Sequence, residues 1–322
     1  MNDRLAPTKS EVARAWAIPE YGAAERLALS ERPLAIPGPG ELLVEVEAVA
    51  LNPLDLKIIG GQMKDLMPAE MPYVPGSDFV GVVSTAGDGA AVRAGDRVVI
   101  SAWNGGLASH VLVPASAHVA LVPATASAVD LAALPMAGLT ARHILRMLGD
   151  VAGRTIAVIG ATGGVGLMLV QLASQAGALV IGTGQGPEDD ALLRANGAAD
   201  VIDYARHDIP MALRARYPGG ADIVIDLVTM FDALFASANA VKDGGTLLST
   251  LFGPEPAAFG DRINFAYVRL KAQPGDLDQL VRAYTGGALS ANVSRVFSFD
   301  QAVEAYRALR DEHVRGKIVV RL

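Results

Sequence analysis

The run Ala161-Thr162-Gly163-Gly164-Val165-Gly166 has the A-x-G-x-x-G spacing that lets a main chain close on a pyrophosphate. It follows the apolar stretch Thr155-Ile156-Ala157-Val158-Ile159 and leads into the apolar stretch 167–175, so strand, turn and helix are expected in that order. In such a unit Gly163 admits the backbone to an anion and Gly166 lets the helix lie close on the strand. The N–H groups around Thr162, Gly164 and Val165 then face the negative charge. A glycine-rich turn that binds nothing is the competing reading, and the strand and helix alternation around it weighs against that. Alanine at the first position is a mild departure from the fingerprint.

A dinucleotide site that selects NAD usually carries an acidic residue about 20 residues on, at the end of the second strand, to hold the ribose diol. Thr183 and Gly184 stand there. Loss of the carboxylate leaves room for a 2′-phosphate, which Tyr204 is placed to approach from the next strand end. Glu188, Asp189 and Asp190 oppose this, with no Lys or Arg before Arg194. The balance favours NADPH, with NADH as the alternative.

Other chemistries are bounded by composition. The chain has no cysteine, which removes disulfides, thiolate metal sites and cysteine nucleophiles and suits a reducing compartment. His110, His118, His143, His207 and His313 show no metal-ligand spacing, so each reads as a packed or solvated residue. A net charge of −7 without a basic block disfavours nucleic acid as a partner. Met1 to Ser10 contain no apolar run long enough for a signal peptide or a membrane span, so a cytoplasmic protein is expected.

These residues need a scaffold. At 322 residues the chain exceeds the usual single core, so two domains sharing a cleft are expected. Up to about Pro123, short β-prone runs (42–49, 79–83, 97–100) are broken by Gly and Pro, as in a β-rich barrel or sandwich. Residues 124–148 are helix-prone, with Pro135 and Gly138 expected to divide them into two pieces. Apolar runs at 155–159, 178–182, 200–202, 222–227 and 246–251, each spaced for a crossover helix, predict a doubly wound parallel sheet. A capped helix over 298–310 and a strand over 317–322 close the chain and are expected to return to the first domain.

Four ordered stretches carry a resemblance. Asn52-Pro53-Leu54-Asp55-Leu56-Lys57, Pro75-Gly76-Ser77-Asp78-Phe79-Val80-Gly81, residues 134–141 and Gly316-Lys317-Ile318-Val319-Val320 stand where similar stretches stand in the quinone and enone oxidoreductase branch of the medium-chain dehydrogenase/reductase superfamily. The resemblance spans nearly the whole chain. It implies an α/β protein: a GroES-like β-rich catalytic domain (1–125), a Rossmann doubly wound parallel sheet (126–270) and a C-terminal segment returning to the catalytic domain (271–322). It further implies a homodimer, for which residues 246–252 are the expected edge strand. Zinc-dependent relatives carry Cys, His and Cys at positions that here resemble Asn52, Ser77 and Met136, so no metal is expected.

The implied reaction is hydride transfer to the electron-poor carbon of a conjugated enone or enal, or to a quinone, followed by protonation. It needs a donor for the carbonyl oxygen on which charge develops. Lys57 resembles the lysine of the enone reductases, where many quinone reductases carry tyrosine. Asn52 is a candidate for the ribose or substrate, and Asp55 for orienting Lys57 or joining a proton path. By residue type alone, Lys57 reads as a solvated surface lysine and Asn52-Pro53 as a turn initiator; the functional reading comes from the resemblance. The resemblance also suggests Thr140 near the nicotinamide, Val228 and Leu251 at cofactor-facing strand ends, and Lys317. Trp103 is either a wall for a flat acceptor or a cover for the β-domain core. Two other functions stay open: an enoyl-thioester reductase, with Arg262, Arg269 and Lys271 as candidate contacts for an anionic handle, and a non-catalytic NADPH-binding sensor or structural protein.

Overall fold

The computed structural model describes residues 12–322, so the reading of Met1 to Ser10 lies outside the described residues. The chain divides into two compact units. The first holds residues up to 135 together with 295–313 and 317–322; the second holds 136–294 and 314–316.

The first unit opens with an antiparallel pair, β1 (Val12–Ala17) and β2 (Ala28–Pro33). There follow β3 (Leu42–Ala50), α1 (Pro53–Ile59), β4 (Asp78–Ala86), β5 (Arg97–Ser101), β6 (His110–Val113), β7 (His118–Leu121) and α2 (Ala128–Ala132). The second unit runs α3 (Pro135–Leu148), β8 (Thr155–Ile159), α4 (Gly164–Gln175), β9 (Leu179–Gly184), α5 (Gly186–Ala195), β10 (Asp200–Asp203) and α6 (Ile209–Arg216). It continues with β11 (Ala221–Asp226), α7 (Ala233–Ala238), β12 (Val241–Ser249), β13 (Asn264–Tyr267) and α8 (Asp276–Thr285). The chain ends with β14 (Val293–Ser298), α9 (Ala302–Asp311) and β15 (Lys317–Arg321).

In the first unit β14, β15, β3, β4, β5 and β7 lie side by side, with β6 also paired to β3. The closing strand β15 pairs antiparallel with β3, so Lys317, at its start, reaches a site built mainly from residues 50–105. Val44, Val46, Val49, Phe79, Val80 and Ile100 are buried, and because the neighbours Phe79 and Val80 face opposite sides, this part of the sheet is covered on both faces.

In the second unit the strand order is β10-β9-β8-β11-β12-β13, every neighbouring pair parallel. This is the 3-2-1-4-5-6 order of a Rossmann sheet, whose strand order reverses beside β8. Ile159, Ile181, Ile202, Val224 and Leu247 fill its interior, which is why these strands read as continuous apolar runs.

Three expectations are corrected. Residues 246–252 are not an edge strand: β12 is flanked by β11 and β13, and the edge is β13, whose mixed Asn-Phe-Ala-Tyr sequence carries no strong strand signal. Gly138 does not divide the helical region. Pro135 starts α3, where its missing N–H costs nothing, and Gly138 stays inside because a Cβ there would meet Leu280 Cδ1 at 2.7 Å. The second unit also runs past residue 270 to Ser294, because the carboxylate of Asp276 in α8 is held by Arg142 at 3.2 Å and Arg146 at 2.7 Å, both on α3. Among the described residues no helix is long and apolar enough to cross a membrane.

Candidate active site

In the second unit the glycine turn joins β8 to α4. Gly160 has φ +82°, and its N–H donates to Thr183 Oγ1 at 3.1 Å, so the buried hydroxyl at the end of β9 pins the turn's first residue. A Cβ on Gly166 would lie 2.4 Å from Gly160 O and 2.6 Å from Ala161 Cα; only glycine lets α4 sit this close to the strand end. At Gly163, by contrast, the nearest atom to such a Cβ is 3.6 Å away. The fold does not demand glycine there, and the open face fits a pyrophosphate approaching the N-terminus of α4.

Of the other expected residues, Thr162, Gly164, Val165 and Val228 lie on this turn or against it. Thr162 is buried and its carbonyl accepts from Gly316 N at 2.7 Å, and Gly163 forms a parallel bridge with Gly316. Val228, just after β11, packs over Gly160: its Cγ1 lies 2.6 Å from where a Cβ on Gly160 would stand. Gly164 and Val165 begin α4. Thr140 lies largely buried within α3, and Leu251 follows β12, where its N–H donates to Ser249 Oγ at 3.1 Å.

At the end of β9, Gly184 O accepts from Tyr204 N at 3.1 Å, and a Cβ on Gly184 would meet Asp189 Cβ at 2.7 Å. Asp189 is fully buried; it accepts from Gln185 N at 2.7 Å and from Arg315 Nε at 2.5 Å, while Arg315 also reaches Glu188 at 3.1 Å. The carboxylate nearest this strand end is therefore taken up by Gln185 N and Arg315. Burial raises the Tyr204 hydroxyl's pKa and Asp189 and Asp203 add to this, while Arg315 pulls the other way.

Sequence reasoning missed Arg315, which lies 126 residues from Asp189 and outside any local search for a cation. It also missed Asp226. That buried carboxylate, at the end of β11, accepts from Val228 N at 3.0 Å, Thr229 N at 2.8 Å and Ser237 Oγ at 2.5 Å. It fixes the turn that carries Val228; the terminal Asp of an apolar strand was the available signal.

In the first unit a buried polar cluster surrounds the start of α1. Asn52 Oδ1 accepts from Lys317 Nζ at 2.6 Å, and its Nδ2 donates to Asp78 Oδ2 at 3.1 Å. Lys317 Nζ also lies 3.7 Å from Asp78, whose other oxygen receives Ser101 Oγ at 3.4 Å. Asp55 Oδ2 accepts from Asn52 N at 2.9 Å and from Tyr306 Oη, on α9, at 3.2 Å, while its buried Oδ1 has no hydrogen-bond partner among the described residues. Burial pushes the Asp55 carboxyl up to about 6, against the opposing pull of Asn52 N–H and Lys317. Burial likewise lowers the Lys317 ammonium, with Asp78 and Asp55 acting to raise it.

One expected role changes. Asp55 does not orient Lys57: its bonds go to Asn52 and Tyr306, because it is the third residue of a capped helix start and faces inward. Lys317, expected beside the cofactor, gives its buried ammonium to Asn52 at 2.6 Å and stands 3.7 Å from Asp78. Lys57 stands one turn on, half-buried in the last turn of α1. Burial lowers its pKa, and among the described residues no hydrogen bond or ion pair engages its ammonium. Trp103 is 65% exposed, so it does not cover the core; its carbonyl accepts from Ser77 Oγ at 3.2 Å.

The donor set does not fit zinc. Asn52 offers an amide oxygen that already faces an ammonium, Ser77 a hydroxyl bonded to a carbonyl, and Met136 a thioether. Among the described residues no three His, Cys, Asp or Glu side chains group as metal ligands.

Two family models match the chain: an alcohol dehydrogenase GroES-like domain over residues 38–124 and a zinc-binding dehydrogenase over residues 196–320. The chain is 32% identical to a chloroplastic quinone oxidoreductase of Triphysaria versicolor, covering 93% of this chain and 95% of that protein. It is 29% identical to the 2-methylene-furan-3-one reductase of Solanum lycopersicum, covering 95% and 78%. Among solved structures it superposes on the quinone oxidoreductase of Coxiella burnetii with a TM-score of 0.85 at 27% identity, covering 97% and 99%. A mycobacterial protein complexed with NADPH also gives a TM-score of 0.85, at 29% identity over 96% and 100%. With a Rossmann strand order, a GroES-like unit and the zinc donors replaced, the chain belongs to the zinc-independent quinone and enone oxidoreductase branch of the medium-chain dehydrogenase/reductase superfamily.

Proposed function

We propose that this protein is an NAD(P)H-dependent reductase that delivers hydride to a conjugated enone or enal, or to a quinone, without zinc. The carrying observation is Lys57: a half-buried ammonium with no partner among the described residues, on a helix anchored by a buried polar cluster. A bound nicotinamide dinucleotide supplies the hydride. Lys57 donates a hydrogen bond to the acceptor's carbonyl oxygen, where negative charge grows during transfer. A donor already desolvated by its surroundings stabilises that charge more than one in water does. Asn52 acts from behind the helix start, its amide held at both ends, rather than by contacting ribose or substrate.

The preferred cofactor under this reading is NADPH. Asp189 is consumed by Gln185 N and Arg315, and the Arg315 guanidinium with the Tyr204 hydroxyl suits a 2′-phosphate better than a bare diol. Parallel assays of NADPH and NADH oxidation against a small enone, an enal, a quinone and an enoyl thioester test this. Faster enone turnover with NADPH is expected; binding of both cofactors with no acceptor reduced moves a sensor role ahead.

An enoyl-thioester acceptor is the second reading, supported by 30% identity to the trans-enoyl reductase pgmF of Aspergillus terreus over 88% of this chain. Against it, Arg262 is committed to the carbonyls of Ala238 and Val241 and is not free to grip an anionic handle, while Arg269 stacks on Phe252 at 4.6 Å. A cytoplasmic setting suits a chain without cysteine. The outer edge of β13 is the proposed pairing edge for a homodimer, and a monomer in sedimentation would remove that proposal.

A further inference from the structure

Helix α1 has seven residues, too few to hold its own direction, yet it carries Lys57 in its last turn. Its orientation must come from what grips its first residues. Asn52, immediately before the helix, is held by its main chain and its side chain at once: N–H to Asp55, Oδ1 from Lys317, Nδ2 to Asp78. Tyr306 holds Asp55 from α9. The cluster therefore ties α1 to β4, the next element in the chain, and to β15 and α9, both near its far end.

The cluster is ionic where stability alone does not ask for it. One ammonium and two carboxylates are buried together, and well-packed apolar side chains usually hold a fold as well as such a group does. What the ionic group adds is direction. An amide whose oxygen faces an ammonium and whose nitrogen faces a carboxylate has one orientation, and flipping it sets like against like. Resting on the reading of Lys57 above, we propose that Lys317 is a positioning residue for the reaction: through Asn52 and Asp78 its ammonium fixes the start of α1 and hence where Lys57 presents its donor.

Lys317→Met alone leaves carboxylates uncompensated and is at risk of misfolding. The informative variants are the paired Lys317→Met/Asp78→Asn, which removes one charge of each sign, and Lys317→Ala supplied with ethylammonium. The pair is expected to melt near the wild-type temperature and bind NADPH unchanged, while kcat for an enone falls about tenfold or more, the scale of a misplaced catalytic group. Ethylammonium is expected to restore kcat to Lys317→Ala in a saturable manner. A paired variant with wild-type kcat, or ethylammonium that raises the melting temperature without raising kcat, overturns the proposal. Lys57→Met run in parallel separates the two readings. If it loses turnover and the Lys317 variants keep theirs, only the positioning role fails; if Lys57→Met is itself fully active, the Lys57 reading falls and this inference with it.

Discussion

Arg315 Nε lies 2.5 Å from Oδ1 of the buried Asp189, in the first turn of α5 just after the second Rossmann strand, the region where selection between NAD and NADP is made in this fold. The pairing turns the local carboxylate into a support for a cation. Arg315→Met is expected to weaken NADPH by about 10- to 100-fold, the worth of one charge-assisted contact of roughly 1.5–3 kcal/mol, with NADH changed far less. Titrations of both cofactors check this, and equal losses for the two would assign Arg315 to local structure alone.

The two glycines of the turn make opposite predictions. Gly166→Ala sets a methyl 2.4 Å from Gly160 O, so it should lower stability by about 1–3 kcal/mol through overpacking and weaken cofactor binding as α4 shifts. Gly163→Ala has open space on the protein side and should melt like the wild type while losing dinucleotide affinity. Thermal melts and cofactor titration of both variants read this out; a large stability loss in Gly163→Ala would mean that its glycine serves the fold.

Asp55 predicts a pH signature in stability. Its carboxyl rises from 3.8 to about 6 on folding, with burial as the main cause. A raised acid favours the folded state while protonated in both states. As pH climbs from about 4 to 6 the unfolded chain ionises first, and folding loses roughly 3 kcal/mol, a loss that then stays constant. Denaturant titrations of the wild type and Asp55→Asn across this range should differ by that falling component. Parallel curves would place the Asp55 pKa near its ordinary value.

Local rules made the β8-turn-α4 unit legible, because its glycine spacing, strand and helix are contiguous and each residue type has a local reason. The parallel sheet was legible for the same reason, its buried strands reading as apolar runs. The limits were long-range. Nothing near Asp189 in sequence announces Arg315, and nothing near Asn52 announces that Lys317 and Asp78 consume its amide. Strand β13 escaped because an edge strand needs little apolar character, which displaced the expected edge onto β12. Trp103 left two readings open by composition, and only its exposure removed the core one.

Lys57 remains the sharpest single test of the chemistry. Removing one preorganised donor from an acyl oxyanion site costs about 10²–10³ in kcat, and Lys57→Met should fall in this range for an enone, with the NADPH Kd unchanged. Burial lowers the ammonium's pKa, so activity that needs the charged donor should decline at a pH below that of a free lysine, and this alkaline limb should vanish from the residual activity of Lys57→Met. Lys57→Arg keeps the charge but replaces a compact ammonium with a broad planar fork, and is expected to recover only part of the rate. A pH profile of Lys57→Met that superimposes on the wild type, whatever its height, would show that another group titrates in the limb and that Lys57 is not the donor.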